Sequence, residues 1–264
     1  MSVRHAASQR IIDMAKLSLN ETPFDVDLVA FDKDGTLIDF YHLWGQKAQR
    51  CVDALMQQVE GSHELGAQLY KSLGYDTQTE RAASDGPLAT APISKIKTIA
   101  TTVLYQHGFS WDDAEKHVRD SFALGMDAIP TADLIQPLGD VAKLCRQLIQ
   151  AGVQVAIVTT DDRAATEATL PLLGISEHVN AVVCGNDQML TKPEPDAIWH
   201  LKAKLGVEPT RMMVVGDTVA DMIMGTRAEV GCRVGVLTGV SDSATLAAHA
   251  DIIIDSIKDI NVIG

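Results

Sequence analysis

Basic residues, paired cysteines and long apolar runs are scarce in this chain, and each scarcity excludes a class of protein. Lys and Arg number 22 against 35 Asp and Glu, which gives a net charge of −13. Such a chain repels polyanions, so nucleic acid is not expected as a partner. The cysteines, Cys51, Cys145, Cys184 and Cys232, form no Cys-x-x-Cys pair. This spacing argues against a structural zinc site or a redox motif, and we expect buried, reduced thiols.

Segments that would direct or anchor the chain to a membrane are also not evident. No apolar run approaches the roughly 20 residues that cross a bilayer, so no membrane partner is expected. The N-terminal segment lacks the apolar centre of a secretory signal, although an organellar transit peptide interrupted by Asp13 stays open. The cytoplasm is therefore the expected location. The sequence contains no internal repeat or low-complexity tract, and it leaves the oligomeric state undetermined.

Short, continuous apolar runs alternate with segments of helical period along most of the chain. Continuous apolarity predicts strands that are buried on both faces. Between two such runs, apolar residues from Leu138 to Ile149 recur every three or four positions, and Gly152 follows as a helix stop. The alternation predicts an α/β fold with a Rossmann-like, three-layered core around a parallel sheet, whose ligands gather outside the carboxyl ends of the strands. The predicted strands cover residues 26–31, 153–158, 181–184, 212–215, 234–237 and 252–254.

This alternation is interrupted between residue 39 and about residue 128, where the pattern is mainly helical. A structureless loop of that length is not expected inside a compact domain. Helices are predicted around residues 46–59, 64–73, 93–106 and 111–122. We therefore expect an α/β catalytic core formed by residues 1–40 and 129–264, with an inserted α-helical cap domain of residues 41–128.

The first predicted strand ends in an acid pair, Asp32 and Asp34, followed by glycine. Successive side chains of a strand point to opposite faces, so these two carboxylates share one side. One of them could attack phosphorus while the other moves a proton, and a divalent metal could neutralise both acids and the phosphate. A simple turn at a strand end is the alternative interpretation. A calcium-binding helix-loop-helix is excluded, because Leu37 and Leu43 stand where glycine and glutamate are required.

Three later strand ends carry polar residues that would complement the acid pair. Thr159 and Thr160 follow the second core strand, where hydroxyl and backbone N–H groups could hold phosphate oxygens, although threonines there are also common helix caps. Lys192 follows the next core strand, and Pro193 and Pro195 would hold its backbone in a restricted conformation. The alternative interpretation is an ordinary solvated lysine.

A second acid pair follows the strand that ends at Gly216. Asp217 and Asp221 are four residues apart, so a helix that starts there would place both carboxylates near one face. The alternative is that Asp217 is simply an N-terminal helix cap.

These motifs, in this order, resemble those of the haloacid dehalogenase-like hydrolase superfamily over essentially the whole chain. Asp32-Lys33-Asp34-Gly35-Thr36 resembles the first motif, Thr159 the second, Lys192 the third, and Gly216-Asp217 with Asp221 the fourth. The position of the insertion is similar to the helical cap of the phosphoglycolate phosphatase and β-phosphoglucomutase branch.

The resemblance implies a role for each motif. Asp32 would be the nucleophile that becomes an aspartyl-phosphate, and Asp34 the general acid and base. Thr159 and Thr160 would bind the phosphoryl group, and Lys192 would offset the charge of the nucleophile and the phosphate. Mg²⁺ would be the cofactor.

The implied metal ligands come from the two acid pairs. They are the carboxylates of Asp32 and Asp217 and the backbone carbonyl of Asp34, while Asp221 would support the water shell of the metal. Lys33 departs from the apolar residue often found between the first two acids. Its side chain is expected to point away from Asp32, and we assign it no catalytic role.

The motifs leave three functions in competition. The favoured one is a Mg²⁺-dependent phosphatase that hydrolyses a small phosphorylated metabolite, such as phosphoglycolate or a sugar phosphate. The presence of Asp34 points to phosphate-ester chemistry rather than to dehalogenation. A phosphosugar mutase would use the same acids, and a non-catalytic interaction protein could retain the same fold.

Overall fold

A computed structural model describes residues 16–263 of the chain, so most of the segment in which a targeting peptide was considered lies outside the described residues. The strands, in chain order, are β1 (Leu17–Leu19), β2 (Thr22–Phe24), β3 (Leu28–Phe31), β4 (Tyr75–Asp76), β5 (Arg81–Ala82), β6 (Gln154–Val158), β7 (Ala181–Val183), β8 (Met212–Gly216), β9 (Cys232–Val236), β10 (Ile252–Ile254) and β11 (Asn261–Val262). The α-helices are α1 (Gln46–Gln58), α2 (His63–Leu73), α3 (Pro87–Thr90), α4 (Ile93–Gln106), α5 (Trp111–Phe122), α6 (Val141–Gln150), α7 (Arg163–Leu172), α8 (Asp196–Leu205), α9 (Val219–Arg227) and α10 (Ser243–Ala247).

A six-stranded parallel sheet forms the centre of the fold, in the order β10-β9-β8-β3-β6-β7. Each of its strands coincides with one of the predicted apolar runs. Along β3, Val29 and Phe31 pack into one hydrophobic cluster, whereas Leu28 and Ala30 pack into another. The strand is thus buried on both faces, which is why its apolarity is continuous. The predicted α/β class with a parallel sheet is confirmed.

The predicted helix after Leu138 begins later than the apolar pattern indicated. Asp140 caps helix α6 by accepting a hydrogen bond from the Lys143 N–H at 2.9 Å, so Leu138 lies before the helix. After the helix, Gly152 adopts a φ of 72°, a left-handed conformation that glycine enters without steric cost. Chain reversal at Gly152 then feeds β6 into the sheet.

Residues 41–128 contain helices α1 to α5 and a two-stranded hairpin of β4 and β5, and none of their strands pairs with the six-stranded sheet. A π-helical turn, Tyr41–Gly45, leads into α1. Helices α1, α2, α4 and α5 pack on one another. This content agrees with the helical segments expected from the sequence. The division into a core of residues 1–40 and 129–264 and a cap of residues 41–128 remains our proposal.

A second, antiparallel sheet was not predicted. It joins the two ends of the described chain in the order β11-β1-β2, with Leu17 opposite Val262. All four cysteines are free and buried, as expected. Within residues 16–263, the helices lack the combination of length and apolar character needed to cross a bilayer.

Candidate active site

Three neighbouring strands deliver the predicted site residues to one edge of the sheet. Strand β3 lies between β6 and β8, and Phe31 is level with Ile157 and Val215 in the parallel ladders. The residues after these strands therefore emerge side by side, with Asp32 between the segments that carry Thr159 and Asp217. The Asp32 N–H donates to the Val215 carbonyl at 2.8 Å, which extends the ladder by one residue. Sheet geometry thus fixes the backbone from which the Asp32 carboxylate projects.

Lys192 joins the first and fourth motifs. Its ammonium donates to Asp32 Oδ1 at 2.5 Å and to Asp221 Oδ1 at 2.6 Å, and all three side chains are nearly fully buried. Burial alone lowers the pKa of Lys192, but the charges of Asp221 and Asp32 outweigh it and raise the pKa above its ordinary value. Lys192 is therefore a permanent cation beside Asp32.

The Asp217 carboxylate fits into its position because Gly35 and Gly239, which lie against it, have no side chains. It is completely buried, and its Oδ2 accepts the Val240 N–H at 2.9 Å. A Cβ added to Gly35, which has a φ of 87°, would lie 2.5 Å from that oxygen, and a Cβ added to Gly239 would lie 1.8 Å from it. Only glycine fits at either position without moving the carboxylate.

We expect Gly239→Ala to displace the Asp217 carboxylate and to cost its bond from Val240. The resemblance implies that Asp217 is a metal ligand, and loss of such support around a ligand carboxylate typically lowers metal affinity or activity about 10- to 100-fold. Steady-state kcat/KM and Mg²⁺ affinity by calorimetry are the measurements. Gly66→Ala is the matched control, because a Cβ at that helical position would meet its nearest neighbour at an ordinary 3.6 Å. Equal activity of the Gly239→Ala and Gly66→Ala variants would contradict the proposal that the close approach of Gly239 positions the Asp217 carboxylate.

The start of helix α9 holds Asp221 in place. Thr218 is the N-cap of a capping box, in which its Oγ1 accepts the Asp221 N–H at 3.3 Å and Asp221 Oδ2 accepts the Thr218 N–H at 3.1 Å. The Thr218 hydroxyl also donates to Asp221 Oδ2 at 2.6 Å. The alternative that Asp217 caps this helix is therefore wrong, because the cap falls one residue later. Asp217 is left to face Asp32 and the glycines.

Burial and like charge dominate the electrostatics of these acids. Burial raises the pKa of Asp32 to about 7, against the lowering effect of Lys192, and the charges of Asp221 and Asp34 add to the rise. Burial also raises the pKa of Asp217 well above its ordinary value, with further contributions from Asp32 and Asp221. Burial and mutual repulsion thus disfavour simultaneous ionisation of these acids, and added positive charge would offset that effect.

The donor set fits a divalent metal ion. Asp32, Asp217 and Asp221 each place one carboxylate oxygen within 4.8 Å of the others. Among the described residues, Lys192 is the cation that pairs directly with this group, so three carboxylates face one ammonium. Hard oxygen ligands of this kind are those that Mg²⁺ prefers. The Asp34 carboxylate lies outside the group, whereas Asp221, which the resemblance placed in the water shell of the metal, lies within it.

The structure also reveals a second charged cluster that the sequence did not predict. The ammonium of Lys33 donates to Asp34 Oδ1 at 2.6 Å and lies 3.0 Å from Asp161 Oδ2. Burial raises the pKa of Asp34, and Lys33 opposes that rise. The Lys33 side chain is only 1% exposed, and its ion pairs are with Asp34 and Asp161. A lysine between two acids gives no local signal of burial, because its partner Asp161 arrives from a different strand.

One pocket gathers nearly all the predicted site residues. The core and the helical insertion each form one side of it. The core side is formed by Asp32, Asp34, Thr159, Thr160, Asp161, Lys192, Asp217, Thr218, Ala220 and Val240. The other side is formed by Phe40, Trp44, Leu88, Ala89, Thr90, Ala91, Ile93 and Ile96, from the insertion and the segment that leads into it. Asp221 is the exception. It does not line the pocket, but it contacts Lys192, which does. In the turn Tyr41–Gly45, which follows the first motif, Trp44 lines this pocket. Tyr41 and His42 in the same turn line a separate cleft.

Comparison with known proteins identifies the family of this arrangement. A family model described as haloacid dehalogenase-like hydrolase matches residues 26–229. The chain is 26% identical over 233 residues to validoxylamine A 7'-phosphate phosphatase of Streptomyces hygroscopicus subsp. limoneus, covering 87% of this chain and 93% of that protein. It is also 26% identical over 249 residues to phosphoglycolate phosphatase of Vibrio vulnificus, covering 90% and 96% respectively.

The fold is likewise similar to a solved structure. A predicted phosphoglycolate phosphatase from Haemophilus somnus superposes with a TM-score of 0.65 at 18% identity, covering 89% of this chain and 96% of that one. The likeness supports the arrangement of sheet and helices described above.

Proposed function

Because the chain belongs to the haloacid dehalogenase-like hydrolase family, we propose that it is a Mg²⁺-dependent phosphatase of a small phosphomonoester. The observation that carries the proposal is the buried Asp32–Lys192–Asp221 chain beside Asp217, in the same pocket as Asp34 and Thr159. Relatives named as phosphatases support the enzyme class, and the predicted family branch is confirmed by them.

In the first half of the proposed reaction, a carboxylate oxygen of Asp32 attacks the phosphorus. The bond from phosphorus to the leaving oxygen breaks, and Asp34 gives its proton to that oxygen. The products are the free alcohol and an aspartyl-phosphate. Thr159 and Thr160 would hold the phosphoryl oxygens, and Lys192 would offset the charge that builds up between Asp32 and the phosphate.

In the second half, Asp34 acts as a base. It takes a proton from a water molecule whose oxygen attacks the phosphorus, and the bond from phosphorus to Asp32 breaks. Inorganic phosphate leaves, and Asp32 returns to its carboxylate form. The two halves need one carboxyl group that can both give and accept a proton, and the position of Asp34 in the pocket wall suits this exchange.

Mg²⁺ would be held by the carboxylates of Asp32 and Asp217 and the backbone carbonyl of Asp34, with Asp221 supporting its water shell. When bound, the ion neutralises phosphate and carboxylate charge. The uncompensated acids of the site support this assignment.

The walls of the pocket support a small substrate. The side that faces the core holds the acids and Lys192, whereas the insertion contributes mostly apolar side chains from α3 and the start of α4. A substrate would lie between these two walls, with its phosphate toward Asp32. A net charge of −13 also disfavours a polyanionic macromolecule.

The experiment that tests the function compares kcat/KM for phosphate release from phosphoglycolate, sugar phosphates, nucleotides, phosphopeptides and a phosphorylated oligonucleotide. We expect efficiency on at least one small phosphomonoester to exceed that on every macromolecule by about tenfold or more, a difference of roughly 1.4 kcal/mol in transition-state binding. Higher efficiency on the macromolecules would contradict the proposal. Conversion of a sugar 1-phosphate into its 6-phosphate without release of phosphate would instead identify a mutase.

A further inference from the structure

We infer that Lys33 is a positioning residue, which fixes the Asp34 carboxylate in the pocket wall through a buried chain of ion pairs, Asp34–Lys33–Asp161. The inference rests on the proposed function, since it takes Asp34 to be the acid and base of the reaction. It assigns to Lys33 a task beyond the four motifs.

The geometry of the chain restricts Asp34 to one orientation. Lys33 Nζ lies 2.6 Å from Asp34 Oδ1 and 3.0 Å from Asp161 Oδ2. Asp161 is fixed in turn, because its Oδ1 accepts the Asp162 N–H at 2.8 Å and its own N–H donates to Thr159 Oγ1 at 3.1 Å. Hydrogen bonds between charged groups are short and strong. Rotation of the Asp34 side chain away from the pocket would therefore break the contact with Lys33.

The position of Lys33 excludes direct contact with a substrate in this pocket. Asp34 and Asp161 both line the pocket, but Lys33 does not, and its side chain is 1% exposed. It lies behind the wall and links the segment after β3 to the segment after β6. Any effect of Lys33 on the reaction must then pass through the acids that it holds.

Stability alone is a weak explanation for a buried lysine at this position. Withdrawing charges from water costs about as much as their mutual attraction returns, and apolar replacements of buried ion pairs are often neutral or stabilising. The neighbouring Lys47 provides a contrast in the same region. It is also buried, but its ammonium donates to the Met126 carbonyl at 3.1 Å and lies 4.9 Å from the centre of the Trp44 ring. Lys33 pairs with Asp34, whereas the hydrogen bond of Lys47 goes to a backbone carbonyl.

The test uses the full-length protein with Mg²⁺ and compares p-nitrophenyl phosphate, which has a good leaving group, with a simple alkyl phosphate, which has a poor one. A positioned acid matters most for the poor leaving group. We expect Lys33→Met to lower kcat/KM for the alkyl phosphate, which reports the steps up to departure of the leaving group, by about 10- to 100-fold, part of the full contribution of an acid catalyst. The loss with p-nitrophenyl phosphate should be smaller, and Lys33→Arg should restore part of the activity.

A double-mutant cycle with Asp34→Asn separates positioning from general damage. If Lys33 acts through Asp34, Lys33→Met should cause little further loss of kcat in the Asp34→Asn background. A full additional loss of kcat, or equal losses of kcat/KM for both substrates, would overturn the inference. If Asp34→Asn itself leaves the turnover of the alkyl phosphate unchanged, the proposed role of Asp34 fails, which is a distinguishable result.

Two further variants keep the test decisive. Lys71→Met removes an exposed lysine from the last turn of α2, and we expect it to leave the ratio of the two substrates' kcat/KM values as in the native protein. If Lys33→Met does not fold, the Lys33→Met/Asp161→Asn variant leaves fewer unpaired charges and takes its place, with the same expected change in ratio. A native ratio in that folded variant would overturn the inference.

Discussion

Asp32→Asn is expected to abolish turnover, with a loss of at least about 10⁴-fold in kcat, as is typical when a covalent nucleophile is removed. The amide has neither the charge nor the nucleophilic oxygen needed to form the aspartyl-phosphate. Phosphate release in the steady state measures the loss. Intact-protein mass spectrometry after acid quenching should detect the phosphorylated intermediate in the native protein and not in the variant.

The electrostatics of the site distinguish this result from misfolding. Asp32 is a buried acid whose charge is disfavoured by burial and by Asp221 and Asp34, and Lys192 also donates to Asp221, so the variant leaves it one anionic partner. The metal-free variant should therefore unfold at a temperature no lower than the native protein. Asp112→Asn, an exposed position in the first turn of α5, is the matched control and should keep native turnover. Substantial turnover by Asp32→Asn that is free of deamidated protein would disprove the nucleophile assignment.

The sequence predicts most of the sheet because its strands are buried on both faces and so carry a continuous apolar signal. Parallel pairing then brings residues that are far apart in sequence, such as Asp32 and Asp217, to one edge without any knowledge of side-chain contacts. The helices of the insertion were predictable for a related reason, since each packs one apolar face against the others. Asp221 was predicted to support the water shell of the metal, which stays a prediction, whereas its hydrogen bond from Lys192 was not predicted.

The parts that could not be predicted depend on partners that are distant in sequence. Strands β1, β2 and β11 have only two or three residues each, and Leu17 finds its partner at Val262, so no local pattern marks them. Burial of Lys33 depends likewise on a distant partner, Asp161, which lies in the segment after β6. From the sequence, a charged residue between two aspartates is expected to be exposed to solvent. The ion pair with Asp161 accompanies the burial of Lys33 in the fold.

Removal of divalent metal is expected to suppress turnover by about 10³-fold or more, and added Mg²⁺ should restore it. The physical reason is the charge of the site. Asp32, Asp217 and Asp221 place carboxylate oxygens within 4.8 Å of one another, and Lys192 neutralises only one of three charges. A phosphate dianion brought to this site adds further repulsion, and charge stabilisation by a metal ion contributes several kcal/mol to reactions of this type.

Binding of the metal can be measured independently of activity. A ligand that binds only the folded state stabilises it by about 2.7 kcal/mol when present at 100 times its dissociation constant, so Mg²⁺ should raise the unfolding temperature of the chelated protein. Asp217→Asn should weaken this shift, because it replaces a charged carboxylate of the group with a neutral amide, while Asp112→Asn should leave it intact. Undiminished turnover in protein with verified negligible metal content would disprove the metal requirement. A native Mg²⁺ shift in Asp217→Asn would place the ion elsewhere, and it would leave the acids around Asp32 without the cation that their burial and mutual repulsion require.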